Sequence, residues 1–96
     1  MLAWYASLPE APVWLQYGTP EQELIDESGN LFRSDLVVND GKAITVIEYK
    51  TGAPTPAHET QLQRYMSLIA KASALPVRGA LVYLDLKRLD IKQLRP

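Results

Sequence analysis

Apolar and polar positions change their spacing along this chain, and the changes mark its elements. Leu31 to Val38 and Ala43 to Lys50 are rich in Val, Ile, Leu, Thr, Phe and Tyr, the composition of strands. Between them, Asn39-Asp40-Gly41-Lys42 is a hairpin signal with Asp40-Gly41 as a two-residue turn. Such a turn pairs Asn39 with Lys42 and sets Asp35 opposite Val46. Glu21 to Asp26 predicts a preceding strand, turned by Glu27-Ser28-Gly29-Asn30, so three antiparallel strands form a meander.

After Lys50 the period lengthens. Thr51-Gly52-Ala53-Pro54-Thr55-Pro56 is a breaker-rich loop, and Pro56 to Ala74 predicts one helix with Leu62, Met66, Leu68, Ile69, Ala72 and Leu75 near helical spacing. Thr55 fits the N-cap and Pro56 the first helical position. Leu75-Pro76 ends the helix, Val77 to Leu86 predicts a buried strand weakened at its start by Gly79, and the tail from Lys87 adds an edge strand or a short helix. Upstream, Met1 to Leu8 is a short helix or a frayed end stopping at Pro9, and Thr19-Pro20 marks a turn. Trp4, Tyr5, Trp14 and Tyr17 read as core anchors in preference to base-stacking groups, because a small domain needs their burial area. The expectation is one α/β (α+β) domain over residues 1–96: a three-stranded antiparallel meander, a helix and a further strand in one mixed sheet.

Composition narrows the function classes. With no cysteine, disulfides, thiolate zinc sites and iron–sulfur clusters are excluded. No long apolar run suggests a membrane span, and the N-terminus lacks the basic flank and apolar run of a signal peptide, so a cytoplasmic protein is expected. The net charge of −1 hides an asymmetry: residues 1–30 carry no Lys or Arg, whereas the remainder holds all ten basic residues against six acids. A phosphate-binding surface would therefore come from the later part, through residues such as Lys42, Lys50, Arg64, Lys71 and Arg78.

Within the hairpin, side-chain alternation puts Asp35, Val46, Glu48 and Lys50 on one face. In the predicted register Glu48 lies diagonal to Asp35, roughly 7–8 Å between backbones. Charged groups beside Val37, Val46 and Ile44 need compensation, and carboxylates in such surroundings are normally paired or bound to metal. A hard ion such as Mg²⁺ takes oxygen ligands and keeps several waters, which two acids and a main-chain carbonyl would suit. Lys50 would then orient the attacking water or steady phosphoryl charge. The alternative reading of the same spacing is a surface hairpin whose charges are solvated or salt-bridged. On the helix, Gln61 and Tyr65 are four apart and share a face, brought back past the acidic face by the short connection; His58 is near the helix start, where a solvated residue is expected.

Taken together, LFRSDLVV, VIEYKTG, HETQLQRYMSLI and VRGALVYLDL resemble the PD-(D/E)XK nuclease superfamily, and within it the RecB-like nuclease domains of helicase–nucleases that process double-strand breaks. The resemblance runs from about Glu21 to Leu86. It implies a restriction-endonuclease-like core, Mg²⁺ or Mn²⁺ as cofactor, DNA as substrate and a helicase domain or subunit as partner. Residue by residue it makes Asp35 and Glu48 metal-binding acids, Tyr49 a main-chain carbonyl ligand and Lys50 the catalytic lysine. Gln61 and Tyr65 match the Q-x-x-x-Y element that shapes such active sites and contacts DNA, with Arg64 beside them. Glu23, and less directly Glu21, match an acid on the preceding strand, while Thr51-Gly52 would be structural. RecB-like nucleases also carry a metal-binding His on a helix upstream of the Asp strand, and the single His here, His58, is downstream. The resemblance thus implies a chain truncated before that helix, a minimal member, or one completed by a second copy, since a missing cover would expose apolar surface and favour a homodimer or domain swap. The functional expectation is a metal-dependent DNA nuclease, with exonuclease activity, of repair and recombination. The alternatives are a nuclease-like module that only binds DNA or a partner and a fragment with no independent activity.

Overall fold

β-Branched and aromatic residues dictate the centre of the molecule, a single five-stranded sheet. The computed structural model describes residues 2–95. Two short helices, α1 (Leu2–Ala6) and α2 (Ala11–Tyr17), lead into β1 (Gly18–Ile25), β2 (Leu31–Asn39) and β3 (Ile44–Lys50), an antiparallel meander. Helix α3 (Pro56–Ala72) carries the chain back across the sheet, so β4 (Val77–Tyr83) lies parallel to β3, and β5 (Arg88–Gln93) closes the far edge antiparallel to β4. The strand order is β1-β2-β3-β4-β5. This is the expected α+β mixed sheet, and the tail resolves as an edge strand.

Each face of the sheet has its own core. On one face Val37, Ile44, Val46, Val77, Leu81 and Tyr83 pack beneath α3, which buries Leu62, Tyr65, Met66 and Ile69. Gly79 permits that approach, because a Cβ there would sit 2.6 Å from Met66 Sδ and 2.7 Å from Leu62 Cδ2. The residue that weakens the strand by composition is the one that lets the helix settle on it. On the other face Val38, Ile47, Ala80 and Val82 are closed over by Trp14, with Trp4, Tyr5 and Leu8 around it.

Several local expectations are corrected. The Asp40-Gly41 pair does not form a two-residue turn: Asn39 pairs with Ile44, leaving four residues in the loop. Asp40 Oδ1 accepts the N–H groups of Lys42 and Ala43, and Asn39 Oδ1 accepts that of Gly41, so side chains of the turn residues favour a wider loop. Thr19-Pro20 is not a turn but part of β1, tolerated because β1 is an edge strand. Residues 11–17 form an unexpected helix, and α3 stops at Ala72, two residues early, where Ser73 turns extended and its Oγ accepts the Leu75 N–H. The apolar face expected to lie bare is covered by α1 and α2. Among the described residues, no helix is long and apolar enough to cross a membrane.

Candidate active site

The four-residue loop moves the β2–β3 register by two positions, and a shift of two preserves which side chains share a face. Val37 now pairs with Val46, and ladder pairing ends at Leu36–Ile47. One step further, Asp35 stands opposite Glu48 instead of diagonal to it. Beyond this point β2 continues only with β1, and β3 only with β4 as far as Lys50–Tyr83. The two central strands therefore part at the acids.

The parting has a local cause. Val37 packs beneath α3, and so do Phe32 and Leu24, although strict alternation from Val37 would send Phe32 to the opposite face. The alternation breaks between them, where the β1–β2 ladder skips the Glu21–Asp35 step and Glu21 adopts φ 54°. Asp35 is thereby aimed at the open end of β3, where its Oδ2 accepts the Tyr49 main-chain N–H at 2.8 Å. Ser34, fully buried, donates its hydroxyl toward the carbonyls of Leu36 and Ile47, both at 3.2 Å. It ties the last paired rung together.

Glu48 is half-buried on the α3 side of this gap. Burial, then the neighbouring Asp35 charge, pushes its carboxyl up to about 7, against smaller opposing effects of Lys50 and the Ser34 hydroxyl. Lys50 follows on the same side and donates from Nζ to Gln61 Oε1 at 3.4 Å. Gln61 is exposed on the first turns of α3, whereas Tyr65 is 2% exposed and donates its hydroxyl to Gln22 O at 2.9 Å. Burial and the Glu48 charge raise the Tyr65 phenol to about 12, so it remains a donor at neutral pH. Glu48, Lys50, Gln61, Arg64 and Tyr65 line one open cleft with Phe32 and Arg33.

The structure brings together Asp35, Tyr49, Glu48, Lys50, Gln61 and Tyr65, and leaves the other candidates outside. Glu23 is exposed opposite Arg33 on β1, and Glu21 is salt-bridged to Arg33 at 3.2 Å. His58 shares a hydrogen bond with the Tyr83 hydroxyl at 3.1 Å. Among the described residues no third carboxylate or imidazole joins Asp35 and Glu48. The donor set nevertheless fits a hard divalent cation: it is all oxygen, and the burial and Asp35 repulsion that raise the Glu48 carboxyl are what such an ion would offset. Two contributors were not evident from sequence. Ser34, between Arg33 and Asp35, carries no signal of its own in the sequence. Tyr5, whose hydroxyl meets that of Tyr49 at 2.6 Å, ties α1 to the strand that carries the site.

Comparison with known proteins bears on the fold and the family. No curated protein sequence matches the chain. The crystal structure of SSO0001 shares its fold at a TM-score of 0.50, with 23% identity over 82% of this chain and 43% of that one. This chain thus spans less than half the length of SSO0001. A family model for the PD-(D/E)XK nuclease superfamily matches residues 33–95, from inside β2 to just past β5. The match covers about two thirds of the chain and spans the acids, the lysine and α3, so this protein belongs to the PD-(D/E)XK nuclease superfamily.

Proposed function

We propose that this protein is a divalent-metal-dependent deoxyribonuclease that hydrolyses phosphodiester bonds. One observation carries the reading: Asp35 and Glu48 lie close enough for one charge to raise the other's carboxyl where β2 leaves β3, with Glu48 and Lys50 lining the cleft. Asp35, Glu48 and the Tyr49 carbonyl would hold Mg²⁺ or Mn²⁺, which when bound supplies a nucleophilic hydroxide at neutral pH and offsets charge on a phosphoryl oxygen. The chain's own groups divide the remaining work. The Tyr49 N–H fixes the Asp35 carboxylate in place before any ligand arrives. Lys50, steadied by Gln61, presents its ammonium to the charge that develops on the phosphate. Tyr65 walls the cleft and anchors β1 to α3 through Gln22. Arg64 at the rim offers its guanidinium to a neighbouring phosphate.

The finer assignment is a RecB-like nuclease working with a helicase in DNA repair or recombination, supported by the Gln61/Tyr65 spacing after the Glu48-x-Lys50 strand. A second reading has one observation in its favour. Among the described residues the acids at the centre number only two, which suits a nuclease-like module that binds DNA or a partner without cutting. The test is cleavage of labelled single- and double-stranded DNA with Mg²⁺, Mn²⁺ or EDTA. Metal-dependent cleavage that falls by roughly 10²–10³ in Asp35→Ala and Lys50→Ala, with folding intact, is expected of the nuclease. EDTA-insensitive binding without turnover would establish the second reading.

A further inference from the structure

A second groove opens beside the acidic cleft and is continuous with it. It has a volume of about 570 Å³, within the roughly 300–1,000 Å³ typical of small-ligand sites. Phe32, Thr60 and Arg64 line both spaces, so the groove is an extension of the cleft along α3 toward the β1–β2 turn. Its floor and its two ends differ in chemistry. Phe32 is half-buried, packed against the core under α3, and fixed in place while its remaining surface faces the groove. Arg64 stands between the two spaces, exposed, and among the described residues it enters no salt bridge.

The far end carries two acids, which at first sight would repel a nucleic acid. Both keep their charge, but each faces hydrogen-bond donors or a cation of this chain, Asp26 lying in the field of Arg64 as well. Asp26 Oδ1 accepts the N–H groups of Ser28 and Asn30, and its Oδ2 accepts the Asn30 side-chain amide. Glu27 lies 3.9 Å from the Lys71 ammonium. Gln63 is taken up by the Gln93 carbonyl and the Arg95 N–H, so what that end still offers is the Ser67 hydroxyl and the Asn30 side-chain oxygen. A cation at the mouth, an aromatic surface on the floor and a hydroxyl and an amide oxygen beyond follow the order of a nucleotide: phosphate, base face, base edge.

We infer that this groove receives one unpaired nucleotide adjoining the bond to be cut, stacked on Phe32 with its phosphate on Arg64, so that the substrate is single-stranded or frayed DNA. The inference rests on the nuclease reading only for the words "bond to be cut"; the groove's preference for an unpaired base stands on its own. A base still paired in a duplex cannot turn its face to Phe32 without unpairing and leaving the stack, which is unfavourable. The same groove therefore discriminates against blunt duplex.

The experiment is fluorescence-anisotropy titration of the whole chain, in EDTA and in Ca²⁺, with a labelled single-stranded oligodeoxynucleotide and with the same sequence as a blunt duplex, followed by cleavage in Mg²⁺. Single strand is expected to bind at least about tenfold more tightly than duplex. Phe32→Leu, which keeps the packing and removes the aromatic face, is expected to lose about five- to tenfold for single strand and little for duplex, in line with stacking by one base. Arg64→Gln is expected to weaken binding and lower its salt dependence. Circular dichroism verifies that both variants fold. Equal affinity for single strand and duplex, or Phe32→Leu binding like the parent, overturns the inference. Cleavage indifferent to Phe32 removes the groove and leaves the nuclease; Phe32-dependent binding with no cleavage removes the nuclease and leaves the groove.

Discussion

The two faces of the sheet are built in different ways, and only one of them carries the candidate chemistry. Beneath α3, a seventeen-residue helix buries Leu62, Tyr65, Met66 and Ile69 in a regular stripe, and the cleft opens where its first turns pass the parted ends of β2 and β3. The opposite face is sealed by two helices of five and seven residues, whose plug is mainly Trp14 with Trp4, Tyr5 and Leu8. The site's acids and lysine serve the first face, while Tyr49, between them in sequence, turns to the second and meets Tyr5. The charged site thus stands on a backbone whose other side is apolar and closed. A site of this kind needs a rigid floor, and here the aromatic plug provides it.

Removing the plug should break the comparison most sharply. Trp14→Ala is expected to cost about 3–5 kcal/mol in urea unfolding, a large share of the stability of a small domain. A loss below about 1 kcal/mol would mean that the second face adds little to the fold. Next comes the other face. Gly79→Ala puts a methyl group against Met66 and Leu62, and about 1–3 kcal/mol of destabilisation is expected from overpacking. An unchanged urea midpoint would show that α3 sits on the sheet less closely than described.

A smaller effect belongs to the gap between the strands. Glu48 binds its proton more tightly in the folded chain than its ordinary value of 4.5, up to about 7. The folded state therefore holds more protons than the unfolded one in that window. Without metal, the Glu48 contribution to stability should be fully present below about 4.5 and be lost as pH rises through about 7. Asp35→Asn removes the larger of the charge effects and should flatten this slope, and Mg²⁺ should restore stability most at the alkaline end. Thermal melts from pH 4 to 8 with and without Mg²⁺ would show it, and a slope indifferent both to Asp35→Asn and to the metal would sink the account. The mildest change is Tyr5→Phe. Losing one partly buried hydrogen bond to Tyr49 should cost about 0.5–1.5 kcal/mol, visible as a small fall in melting temperature; no fall would mean that α1 adds packing alone.

The same contrast explains what can be read from sequence. The α3 face is legible because helical spacing and strand alternation are periodic, and because Asp35, Glu48, Lys50, Gln61 and Tyr65 sit at fixed intervals on those elements. The hairpin register departs from the one a two-residue turn would set, yet the faces survive, since a slip of two leaves every side chain on its own side. The second face is illegible. Its helix α2 carries Pro12 in its first turn and no side-chain cap, and seven residues offer too few turns for a periodic signal. Nor does alternation foretell its own failure at Asp35: the break depends on Glu21 in the neighbouring strand adopting a left-handed backbone, which is a property of the pair of strands.

That left-handed step has a consequence for the molecule's solubility. β1 is an outer strand, and an outer strand offers unpaired amide and carbonyl groups to any passing chain. Here Pro20 contributes no amide hydrogen, and Glu21 beside it turns the backbone out of extended geometry. The rim can therefore not serve as a continuous template for another strand, and the distortion that aims Asp35 also guards the sheet against runaway cross-strand aggregation.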